Sequence, residues 1–123
     1  MSKIVQAVNA MIANKKYITD VMPSRSNKDE YFFLYKGKYC WSILKSVDND
    51  YKLFFYPKSN SISGLASIED PTEWEFVPMV SYLNSEIATK EATSSFNELY
   101  QILKENIYGI NSVLDDIISD LEF

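Results

Sequence analysis

Apolar positions recur along the chain in two rhythms, helical at both ends and alternating between them. Near the start, Ile4, Val8, Met11 and Ile12 recur at helical spacing. Ser2 stands where an N-cap belongs, and Lys15 and Lys16 suit the negative end of a helix dipole, so a helix is expected from Ser2 to about Lys16. "YITDVMP" (17–23), closed by Pro23, predicts a short edge strand or an extended connection, and "SRSNKDE" a polar loop.

From residue 31 the period becomes two. Tyr31, Phe33 and Tyr35 point one way and Phe32 and Leu34 the other, then Gly37 turns the chain. On the return, residues 38–45, Tyr39, Trp41 and Ile43 oppose Cys40 and Leu44. "VDND" (47–50) supplies a second turn; in strand 51–56, Tyr51, Leu53 and Phe55 oppose Phe54 and Tyr56. Neither face is polar, so the sheet is expected to be covered, at least in part, on both sides. "KSNSISG" (58–64) reads as a flexible loop. "EWEFV" (73–77) sets Glu73 and Glu75 against Trp74 and Phe76 and predicts a half-buried strand, with "MVSYL" continuing after Pro78.

The last third returns to helical spacing. Ser95 and Glu98 match a capping box, and a short helix in "SEIATKEATS" is one option before it. Tyr100, Leu103, Ile107, Ile110, Leu114, Ile117 and Leu121 then recur at alternating steps of 3 and 4, a heptad seam with Gly109 placed to kink or break it. The expected architecture is α+β, one domain over 1–123. It has an N-terminal helix, an antiparallel meander of four to five strands, and a C-terminal helix or broken helix packed on the sheet.

Composition then restricts the chemistry. No window approaches the roughly 18 apolar residues of a membrane span, and Gln6 and Asn9 interrupt any signal-peptide core. With one cysteine, Cys40, there is no intramolecular disulfide, and a cytoplasmic home is expected. The chain has no histidine, which removes the usual neutral-pH base and the commonest transition-metal ligand. Three glycines, at 37, 64 and 109, form no phosphate loop. No catalytic residue, metal or cofactor is therefore assigned. Glu69, Asp70, Glu73 and Glu75 leave carboxylate-dependent catalysis as a remote alternative, and Cys40, mid-strand in an apolar run, reads as a core thiol.

Charge is unevenly spread. Residues 1–60 carry ten Lys/Arg against five Asp/Glu, and residues 61–123 two against twelve, giving a net −5. Either the two halves attract each other, or an acidic surface meets a basic partner. The overall sign disfavours nucleic acid as the main ligand. Asp115, Asp116, Asp120 and Glu122 crowd the end of the last helix, where the dipole favours cations; they read either as a solubilising terminus or as a partner-binding prong. The function expected is a non-catalytic protein-binding module, of the kind an acidic inhibitor or immunity-type protein represents, neutralising a basic partner as a homodimer or within a heteromeric complex. The alternative is a nucleic-acid or small-ligand surface of Tyr35, Tyr39, Trp41 and Tyr56 among the interleaved lysines.

Overall fold

The computed structural model describes residues 2–47, 50–87 and 89–121, with Asn111 described in its backbone alone. Helix α1 spans Lys3–Ala13, and the Ser2 hydroxyl accepts from Val5 N–H at 3.3 Å, the expected cap. A 3-10 turn at Lys15–Tyr17 leads into strand β1 (Ile18–Pro23). Then come β2 (Glu30–Tyr35), β3 (Tyr39–Lys45) and β4 (Tyr51–Phe55). Helix α2 (Ile62–Ala66) and a 3-10 stretch (Pro71–Phe76) precede β5 (Val80–Leu83). The remainder is helical: α3 (Asn84–Ile87), α4 (Lys90–Tyr108), α5 (Ile110–Ile118) and a 3-10 turn at Ser119–Leu121.

The five strands lie in sequence order, each antiparallel to its neighbour. The fold is thus the expected α+β meander. Lys36 and Gly37, both with positive φ (57° and 69°), form the tight turn between β2 and β3, the twist that suits a hairpin. On the β1 edge the register slips between Thr19 and Met22, where Asp20 takes φ 54°, a bulge that bends the exposed edge.

Both sheet faces are covered from within the chain. On one, Val8 and Met11 of α1 and Phe96, Leu99 and Leu103 of α4 pack on Tyr31, Phe33, Ile43 and Leu53. Asn9 joins the two helices, accepting from Ser95 Oγ at 2.6 Å and donating to Glu91 Oε1 at 3.4 Å. On the other face, Ile62, Leu65 and Ala66 of α2 close over Phe32, Cys40 and Tyr56, with Trp74 stacked on Phe32 at 6.0 Å. Asn84 fastens β4 to the helices: its Oδ1 accepts from Tyr51 N–H at 2.7 Å and its Nδ2 donates to Thr93 Oγ1. Among the described residues no helix is long and apolar enough to cross a membrane.

Four expectations are corrected. "EWEFV" is not a strand, because Asp70 accepts from Thr72 N–H and Pro71 presets the first φ, which starts a 3-10 turn; Phe76 is left 83% exposed. The "KSNSISG" stretch is not all loop, since Ser61 caps α2 by accepting from Gly64 N–H. Helix α4 starts at Lys90 under a Thr89 cap, and Ser95, deep in the helix, is used against Asn9 instead of capping. The heptad seam is buried through Leu103, and Leu114, Ile117 and Leu121 stand exposed. The "VDND" turn falls largely on residues 48 and 49, outside the described residues.

Two measurements check this core. Phe33→Ala and Phe96→Ala, both fully buried, should each cost about 3–5 kcal/mol in urea melts, whereas half-buried Trp41 and Phe55 should cost less when truncated. At high pH, desolvation pushes the Tyr56 and Tyr100 hydroxyls well above their ordinary 10.0. A raised folded-state pKa favours the neutral form, so this stability is complete below pH 10 and lost as pH rises beyond it. Denaturation midpoints should hold up to pH 10 and fall above it, and a Tyr56→Phe, Tyr100→Phe double variant should show a shallower fall.

Candidate functional site

The sequence singled out the acidic end of the last helix, and its geometry follows from one glycine. Gly109 adopts φ 64°, ψ 31°, a left-handed conformation that closes α4, and its N–H donates to Asn106 O and Glu105 O. A new helix starts at once, with Ser112 and Val113 N–H donating to Gly109 O. In α5 the apolar positions Ile110, Val113, Leu114, Ile117 and Ile118 share one side, and Leu121 follows in the 3-10 turn. Among the described residues most of that side is left uncovered: Leu114 is 47% exposed, Ile117 and Ile118 58%, and Leu121 69%. The main contacts of α5 are with α4 and with the turn that follows it.

Asp115 and Asp116 are exposed on α5 and Asp120 in the 3-10 turn after it, and Glu122 lies outside the described residues. Ser119 bonds back to the helix end, its Oγ donating to Asp116 O at 2.6 Å, and no basic residue stands in the last turn. Among the described residues the only close ion pair between the basic and acidic halves is Arg25–Glu69 at 3.3 Å, about two-thirds exposed on each side. Pairs so exposed contribute about 0–1 kcal/mol. The carboxylates of α5 therefore have no close internal counter-charge among the described residues.

The aromatic surface divides. Tyr35, Tyr39 and Trp41 line a cleft of about 380 Å³ beside α1, joined by Tyr17 and Lys36. Tyr56 is on the opposite sheet face, 2% exposed and hydrogen-bonded to Ser42, so it belongs to no surface with the other three. Tyr35 is itself buried, its ring edge-on to Tyr17 at 6.0 Å. Trp41 Nε1 is buried without an acceptor among the described residues. Lysines do interleave with the rings: Lys36 Nζ lies 5.8 Å from the Tyr17 centroid and Lys38 Nζ 5.0 Å from that of Tyr39. The sequence reading missed Tyr17, whose signal was its place directly after Lys15–Lys16, where α1 hands over to β1.

The other reactive candidates have structural employment. Asp70 caps its 3-10 turn, and the Thr72 amide and hydroxyl hold its carboxyl below the usual range. Cys40 is fully buried, and desolvation, then Asp20, pushes its thiol up, away from the reactive thiolate. Among the described residues no three acidic or cysteine side chains converge on a metal-sized site.

The chain matches no protein-family model, no curated protein and no solved structure.

The seam that runs through α4 and α5 should divide in its energetics where it divides in burial. Leu103→Ala is expected to cost about 2–5 kcal/mol and Ile117→Ala no more than about 0.5 kcal/mol, read from urea midpoints. A comparable loss at both positions would place α5 inside the cooperative core.

Proposed function

We propose that the chain is a non-catalytic protein-binding module that docks through α5 onto a basic protein partner. One observation carries this reading: an apolar helix face left uncovered beside carboxylates without close counter-charges. An amphipathic helix of this kind fits an apolar groove rimmed by lysine and arginine, with Leu114, Ile117 and Ile118 as anchors and Asp115, Asp116 and Asp120 at the rim. Opposite charge at the rim steers encounter and rejects acidic partners, while the buried anchors set the dissociation rate. An inhibitor or immunity-type role, neutralising the basic surface it covers, follows from the same chemistry. A non-catalytic role is supported by the missing histidine and the buried thiol, and a cytoplasmic setting by the single unpaired cysteine.

A second reading draws on one specific feature. The Tyr17–Tyr39–Trp41 cleft, with Lys36 beside it, suits a small planar ligand carrying an acidic or acceptor group.

Affinity capture from the native host, on the intact chain and on two variants, separates these. The expected partner is a basic protein whose retention falls with salt. Combined Asp115→Asn, Asp116→Asn and Asp120→Asn substitutions should slow its association, Ile117→Asp should hasten its dissociation, and neither should lower the melting temperature appreciably. A partner held equally by all three proteins would remove α5 from the interface. Light scattering that shows twice 14.2 kDa without any partner would make a second copy the occupant.

A further inference from the structure

The second face of the sheet holds a polar cluster that neither reading of the function uses. Glu30, at the head of β2, is 3% exposed, and its neighbours on that face are Ser42 and Tyr56, both at 2% or less. Ser42 Oγ donates to Glu30 Oε2 at 2.8 Å. Having given its only hydrogen to the carboxylate, Ser42 accepts the Tyr56 O–H, also at 2.8 Å. Asn27 Nδ2 donates to Oε1 at 2.9 Å. Every donor described at this carboxylate is neutral, and it forms no ion pair among the described residues.

A buried carboxylate is stable when a cation meets it, and each oxygen keeps acceptor capacity beyond its one neutral bond. Glu30 also lines a cavity of about 210 Å³, walled by Phe54, Tyr56, Trp74 and Met79. Aromatic faces carry negative potential, so a carboxylate set among them favours a compact positive group over a neutral or anionic one. The wall already attracts a cation at its edge: Lys52 Nζ lies 5.6 Å from the Phe54 centroid, without pairing with Glu30. One side of the cavity is Trp74, carried by the short 3-10 stretch that packs over the sheet.

The geometry points to a binding pocket for a small organic amine, its ammonium group held by Glu30 and its carbon chain by Phe54, Trp74 and Met79. The pocket shares no residue with α5, so this inference stands or falls independently of the docking reading.

Calorimetric titration of the full chain with butylammonium chloride, against 1-butanol as the neutral isostere, tests it. Saturable heat is expected from the amine and none from the alcohol. Glu30→Gln, which keeps the shape, should weaken the amine roughly thirtyfold or more, as loss of a buried charge partner does. Lys52→Met should tighten it by removing a like charge. If circular dichroism shows Glu30→Gln unfolded, Trp74→Ala decides instead, with an expected loss of about two- to thirtyfold from the missing ring face. Equal binding of amine and alcohol, no saturable heat from the amine, or full affinity in the folded variant would overturn the proposal.

Discussion

A sheet that is apolar on both faces must find two covers, and the need to supply both from 123 residues governs the rest of this structure. One cover is regular. α1 and α4 lie side by side over Tyr31, Phe33, Ile43 and Leu53, tied to each other through Asn9 and Ser95. The other is improvised from the β4–β5 connection, where a five-residue helix and a 3-10 turn bring Ile62, Leu65 and Trp74 down onto Phe32 and Tyr56. A connection long enough to reach across the sheet is unusual between adjacent antiparallel strands, which a tight turn would join. Its length is explained by the face it covers.

The same constraint fixes where the apolar surplus lies. α4 finishes its work on the sheet at Leu103, with Ile107 partly buried at the margin. Gly109 then ends the helix in a conformation that L side chains adopt only with strain, and the following apolar face has no strand left beneath it. Much of the unused apolar surface therefore gathers on α5 rather than on the sheet, where two apolar faces had first placed it. Because Asp115 and Asp116 lie on α5 and Asp120 in the turn that follows it, shape and charge coincide at this helix.

The meander was legible because its signal is local: alternation along β2, β3 and β4 assigns the core side chains to the faces they occupy, down to the opposition of Cys40 and Trp41. The 73–77 segment misled for a related reason. Glu–Trp–Glu–Phe has the period of a strand, but Asp70 and Pro71 act on the backbone before any partner strand can, and the capped turn wins. Hydrophobic period also left the end of the seam ambiguous, since it reports which residues share a face and not whether anything faces them. The C-terminal acids were legible as charge and the aromatic cluster as composition; that Tyr56 parts from Tyr35, Tyr39 and Trp41 follows from strand parity.

Parity also explains why the buried cluster went unremarked. Glu30 shares its face with Phe32 and Leu34, and Ser42 with Cys40 and Leu44, so each is a polar residue at a position that alternation assigns to a core. Polar groups in such places cost stability unless they are bonded, and here each answers another across the strands, Ser42 standing opposite Phe32 and one step from Glu30. Serine at 42 and asparagine at 27 satisfy half of the carboxylate's capacity, and Tyr56 completes the bonding of Ser42. An apolar residue at 30 would have needed neither of them, and the remaining capacity faces a cavity walled by aromatic rings. A core arranged only for stability has no use for that combination, since a buried carboxyl group without a counter-charge among the described residues is easily improved upon by a methyl-bearing side chain of similar volume.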